Sequence, residues 1–175
     1  TFARDMRETH SPARVADILD ATLELLGRRL QTDSIDLRID VPEDLPKVRC
    51  RSQQIQQVFM NLIANARHAL NARYPHEDSD KILEISAGVI DMDGEPGVRV
   101  AFHDHGVGIP ESALPSLFDP FFSTKPEGEG TGLGLSISHG IIRDHQGRIH
   151  FESVEREYTK ATIDLLVKNR WNLES

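Results

Sequence analysis

The chain is poor in several things, and each shortage excludes a class of protein. Cys50 is the one cysteine in 175 residues, so no disulfide can form within the chain, and a reducing, cytoplasmic setting is the simpler expectation. Basic residues are outnumbered, 20 Lys and Arg against 28 Asp and Glu, for a formal net charge of −8. Nucleic acid is therefore a poor partner, because phosphate backbones demand clustered cations. No run approaches the roughly 20 apolar residues of a membrane span. The opening "TFARDMRETH" lacks the apolar centre of a secretion signal and reads as a piece of something longer. There is no internal repeat and no low-complexity tract. With 38% hydrophobic residues, one core and one domain are expected.

What is present is strongly patterned. Residues 1–12 are polar, with Ser11-Pro12 as a break. From about Ala13 to Leu30, the residues Val15, Ile18, Leu19, Leu23, Leu26 and Leu30 recur at three- and four-residue steps, which predicts an amphipathic helix. Ile35 to Val41 alternates as a strand does. A second helix is expected from about Arg51 to Arg73, with Ser52 as its cap. The stretches "KILEISAGVI" and "GVRVAFHD" read as strands joined near Asp93-Gly94. Residues 104–131 hold many Gly and Pro and predict a long, mobile connection with a short helical piece near "ESALPSLF". A helix over about 132–145 and a closing strand pair, "RIHFES" and "TKATIDLLV", complete an α+β arrangement.

Three constellations carry chemistry. On the second helix, Ile55, Val58, Phe59, Leu62, Ile63, Ala66 and Leu70 form an apolar face flanked by Asn61, Asn65 and His68. Asn61 and Asn65 are one turn apart. They are either surface residues with local hydrogen bonds, or carboxamides facing a pocket, where an amide oxygen suits Mg²⁺. In "HDHGVGIP", Val100, Phe102 and Asp104 share a strand face, so a carboxylate points among core residues and needs a donor such as a purine amino group. The plainer reading is a turn stabilised by Asp104. A metal held by His103 and His105 is a further reading, weakened because alternation aims both away from the Asp104 face. Last, Gly128, Gly130, Gly132 and Gly134 alternate ahead of a helical pattern at Leu133, Leu135, Ile137, Ile141 and Ile142. Glycines before a helix expose unpaired N–H groups at its positive end, an anion site that commonly holds phosphate. Lys125 lies just upstream. The segment is neither a Walker loop nor a dinucleotide fingerprint, and the chain has no H-R-D loop.

Together the pieces resemble the catalytic and ATP-binding domain of sensor histidine kinases. "NLIANA" resembles the N box, "DHGVG" the first glycine box, "FDPFF" the F box and "GTGLGL" the second glycine box, in the family's order, and "HQG" follows. The loop "FFSTKPEGEGTGLGLSI" is most similar to the nitrogen-regulatory and dicarboxylate-sensing type. The resemblance implies a Bergerat-type two-layer α/β sandwich: a mixed, mostly antiparallel sheet of about five strands under about three helices, with an ATP lid from about Gly106 to Gly132. It implies ATP and Mg²⁺ as ligands, with Asn65 on the metal and Asn61 lining the same site. Asp104 would accept the adenine amino hydrogen, with Gly106, Gly108 and Ile109 near the nucleotide. Lys125, Gly130, Thr131, Gly132, Leu133, Gly134 and Leu135 would surround the phosphates. Phe118, Phe121 and Phe122 would anchor the lid. Either Arg67 or His68 would stand near phosphate.

Two departures bear on function. His105 follows the adenine Asp where Asn or Thr is more usual. The phosphoacceptor box, a His followed closely by an acidic residue on a helix ahead of this domain, is missing: His10 precedes Ser11 and Pro12, and none of the other seven His residues matches. The expectation is a catalytic half, residues 13–170, preceded by the tail of a dimerisation helix over 1–12. It would pass the γ-phosphoryl group to a His on its own dimerisation domain, with a response-regulator receiver downstream. The parent protein would be a homodimer and this piece a monomer. The rival within the superfamily is the ATP-hydrolysing switch of gyrase, MutL or the heat-shock chaperones. That rival needs a Glu one turn before the metal Asn, where this chain has Asn61. The F box and long lid argue against an anti-sigma kinase, and the intact Asn65, Asp104 and glycine set against a non-catalytic nucleotide sensor.

Overall fold

The computed structural model describes residues 10–120 and 134–168. A short strand β1 (Ser11–Ala13) leads into helix α1 (Val15–Thr32), strands β2 (Asp36–Asp40) and β3 (Val48–Cys50), and helix α2 (Ser52–Arg73). Strands β4 (Ile82–Met92) and β5 (Glu95–Asp104) follow. A 3₁₀ turn (Glu111–Ser116), helix α3 (Gly134–Asp144) and strands β6 (Arg148–Val154) and β7 (Tyr158–Leu166) complete the order. Five strands form one sheet, β2-β4-β5-β7-β6, antiparallel except for β2, which runs parallel to β4. A parallel neighbour needs a crossover, and α2 lies within it. The α+β sandwich with a five-stranded, mostly antiparallel sheet and, among the described residues, three α-helices matches the sequence expectation.

The three α-helices pack on one face of the sheet. The inner row of β5 is Val98, Val100, Phe102 and Asp104, at 0%, 0%, 2% and 4% exposure. In register beside it lie Leu83 and Ile85 of β4, and Ala161, Ile163 and Leu165 of β7. From α2, the buried residues are Ile55, Val58, Phe59, Leu62, Ile63, Ala66 and Leu70, the face that periodicity marks. Phe59 meets Phe102 with ring centroids 5.3 Å apart and tilted by 60°, which locks α2 over β5. On α1 the apolar stripe is interrupted by Thr22, fully buried because its hydroxyl donates to Ile18 O at 2.8 Å.

Two local expectations are corrected. Ser11-Pro12 is not a simple break. Ser11–Ala13 forms a ladder with β3, pairing Ser11 with Cys50 and Ala13 with Val48. Ser52 is not the cap of α2. Arg51 occupies that position in extended conformation (φ −87°, ψ 99°), its carbonyl accepting from Gln54 and Ile55, and no side chain caps the helix. The N–H of Arg51 donates instead to His145 Nε2 at 3.1 Å, while His145 Nδ1 donates to Ile141 O at 2.7 Å. Those two bonds fix a neutral tautomer, and burial lowers the pKa of His145. "HQG" is thus where the end of α3 is fastened to the start of α2.

Candidate nucleotide-binding site

Asp104 ends β5 with its side chain directed beneath α2. Burial pushes its carboxyl up to about 7, against one opposing influence, the Gly106 N–H that donates to Oδ1 at 2.9 Å. Among the described residues nothing engages Oδ2, which leaves an acceptor for a ligand's N–H. The chain then turns at Gly106. A Cβ there would lie 2.6 Å from the Ala69 carbonyl carbon of α2 and 2.7 Å from Asp104 Oδ1. Any side chain would collide with the helix and cover the carboxylate, so glycine keeps this cradle open. The next residues are pinned rather than loose. Val107 N–H donates to Ala69 O at 3.1 Å, and Ile109 N–H to Ser153 Oγ at 2.8 Å. Gly108 has φ +72° and runs so close to the β6–β7 turn that a Cβ would meet Val154 O at 2.4 Å. The constraint visible at Gly106 and Gly108 is thus packing of protein on protein. The expected mobile connection is held along its first part.

Arg73, in the last turn of α2, fastens this corner. One terminal nitrogen donates to the carbonyls of His105 at 3.2 Å, Gly106 at 3.3 Å and Glu157 at 2.9 Å. Sequence reasoning missed Arg73 and Ser153, because a basic residue in a last helical turn ordinarily reads as a partner of the helix dipole. Further along, Phe118 stacks on His139 of α3 at 4.6 Å and sits edge-on to Phe151 of β6 at 5.7 Å. Phe118 therefore does anchor its segment. Phe121 and Phe122 lie outside the described residues.

On α2, Asn61, Asn65 and His68 follow at steps of four and three and so share a face; all three are half-buried. The amide nitrogen of Asn61 donates to Gly134 O at 3.2 Å and to Ser138 Oγ at 3.1 Å, which holds the start of α3 against α2. Asn61 is thus brought together with Gly134, which begins the described part of α3, followed by half-buried Leu135. Arg67 is tied to Asp33 by an ion pair that Asn71 also joins at 3.1 Å. The carboxamides of Asn61 and Asn65 are hard oxygen donors on this α2 face, of the kind that suits Mg²⁺. Lys125, Gly130, Thr131, Gly132 and Leu133 lie outside the described residues. A polar trough of about 550 Å³ along the opposite sheet face, lined among others by Arg99, Arg148, Lys160 and Asp164, is remote from Asp104.

Residues 50–169 match the family described as histidine kinase-, DNA gyrase B-, and HSP90-like ATPase. The chain belongs to that family. Within this ATPase family its relatives are kinases. It is 33% identical over 167 residues to sporulation kinase E of Bacillus subtilis (strain 168), covering 95% of this chain and 21% of the relative. It is 41% identical over 132 residues to the two-component sensor PprA of Pseudomonas aeruginosa, 74% of this chain and 14% of that one. The chain therefore spans about a fifth of the first relative and a seventh of the second. Among solved structures, the nucleotide-free catalytic domain of histidine kinase ThkA superposes with TM-score 0.73 at 27% identity, over 90% of this chain and 95% of that one. No helix among the described residues is long and apolar enough to cross a membrane.

Proposed function

We propose that this ATPase-family domain binds Mg·ATP beneath α2 and delivers the γ-phosphoryl group to the imidazole of a histidine on the dimerisation domain of its parent protein. A response-regulator receiver then takes the phosphoryl group. The parent is a cytoplasmic-facing homodimer, and this domain alone is monomeric.

The observation that carries the reading is Asp104: a buried carboxylate with one oxygen held and the other open, in a cradle that only glycine permits. Adenine fits because its amino group donates to a carboxylate, and such a donor favours the ionised form that burial opposes. Asn65 supplies a carboxamide oxygen to Mg²⁺, which when bound offsets phosphate charge. His68, one turn on, and Lys125 add further positive or donor groups. The N–H groups around Gly130, Thr131, Gly132, Leu133, Gly134 and Leu135 receive phosphate oxygens. Such a site works by positioning and charge neutralisation, which is what phosphoryl transfer chiefly requires. Asn61 acts by holding α3 to α2, since its amide is already donating to Gly134 and Ser138. An amide cannot take a proton from water, which favours transfer over hydrolysis.

The test is transfer in trans. The chain with Mg·ATP should place an acid-labile phosphate on a separately supplied phosphoacceptor domain and none on itself. Steady ATP hydrolysis without a partner would instead indicate a switch ATPase, and failure of ATP to bind in calorimetry would remove the reading altogether.

A further inference from the structure

Alternation along β5 sends Asp104 inward and its neighbours outward. On the outer face of the sheet, His103 and His105 stand two residues apart, their rings stacked at 4.7 Å with planes 10° apart. Glu84 of β4 lies directly across from His103 in register. Its Oε1 is 2.9 Å from His105 Nε2. One ligand atom from each of the three residues lies within 4.8 Å of the others. The nucleotide site uses none of the three.

We propose that Glu84, His103 and His105 bind a divalent first-row transition ion of the Zn²⁺ type. Three observations support it. The donor set, two imidazoles and a carboxylate, is what such ions select, and hard Mg²⁺ disfavours it. His103 Nε2 is enclosed and has no hydrogen-bond partner among the described residues, an arrangement that normally costs free energy. The backbone beneath the ligands is fixed: His105 N–H donates to Ile82 O at 3.1 Å and its carbonyl is held by Arg73.

Tetrahedral Zn²⁺ places its ligand atoms about 3.4 Å apart. The widest separation, up to 4.8 Å, therefore has to close by up to about 1.4 Å while the 2.9 Å Glu84–His105 pair opens slightly, which side-chain rotation supplies because Glu84 and His105 are 44% and 33% exposed. A fourth position is left to water. Lys160 lies opposite His103 on β7 and opposes a cation. Glu152, paired with Lys160 in register, offsets it.

The test uses the whole chain without nucleotide and with excess Mg²⁺. Zn²⁺ titrated in a calorimeter should bind at one equivalent, and Co²⁺ should give the visible absorption of a low-coordinate site. His103→Ala and Glu84→Gln should each weaken binding at least tenfold. His150→Ala, on the same face but on β6, should leave it unchanged. Stoichiometric binding that survives both His103→Ala and Glu84→Gln would overturn the proposal, as would no binding in the parent chain. Glu84→Gln alters an exposed side chain, so it remains decisive if His103→Ala fails to fold.

Discussion

The two faces of β5 carry charge in opposite ways. Inward, Asp104 follows Val98, Val100 and Phe102 and keeps one hydrogen bond from Gly106. Outward, Arg99 forks onto Asp164 with 2.7 and 3.0 Å contacts, and the pairing raises the pKa of Arg99. The outer charge is matched within the protein: Arg99 is half-exposed, and the buried carboxylate of Asp164 takes both of its contacts. The inner charge is left unmatched, and the fold tolerates it at a cost. A ligand can then be bound strongly by supplying what the protein withholds. The contrast teaches where recognition sits: on the face where a polar group is dissatisfied.

Four measurements would break or sharpen this contrast. Phe102→Ala, which removes the ring packed on Phe59, should lower stability by about 3–5 kcal/mol in urea unfolding, because the cavity lies between α2 and the sheet. A loss below about 1 kcal/mol would mean the inner face is not the core. Next comes Asp104 and pH. Its folded pKa of about 7 lies above the ordinary aspartate value of 3.8. Between these values the folded state holds a proton that the unfolded state has released, so Asp104 makes stability fall as pH rises from about 4 to 7. Above 7 the full penalty, at most about 4 kcal/mol, persists. Asp104→Asn should therefore be more stable than the parent at pH 8 and lack that slope. A variant less stable at pH 8 would refute the account.

Third, Asp104→Ala should weaken ATP binding by about 2–3 kcal/mol, some 30- to 150-fold in calorimetry. In the parent chain, affinity should fall as pH drops below 7, because adenine then competes with a proton. Smallest is Arg99→Ala on the outer face, expected to lower stability by about 1–2 kcal/mol, because it leaves the buried Asp164 without its partner, and to change nucleotide affinity not at all. A large effect there would show that the outer pair supports the strand end carrying Asp104.

How much of this could be read from the chain depended on the range of the interaction. The buried face of α2 runs from Ile55 to Leu70, more than four turns, so periodicity reveals it residue by residue. The inward direction of Asp104 follows from alternation with Val100 and Phe102. Strands of three residues, β1 and β3, carry too few positions for any period and escaped notice. Ser52 suited a cap by type, yet Arg51 holds the geometry because His145, 94 residues away, takes its N–H. The partner of Arg67 is Asp33, just after α1, which no local pattern announces. The reason for glycine at Gly106 is the backbone of Ala69, and no local pattern reports such an approach. The glycine segment 128–133 falls outside the described residues, so the phosphate part of the reading still stands on sequence.

The small β1–β3 ladder has a consequence for architecture at a larger scale. Arg49, at its centre, pairs with Pro12 and also donates its N–H to Val167 O at 3.3 Å. The strand by which the chain comes in and the strand by which it leaves therefore meet at one residue. A unit whose two ends share a corner can be spliced into unrelated chains as a cassette, without threading or rearranging its interior. This geometry suits a module found within much longer relatives.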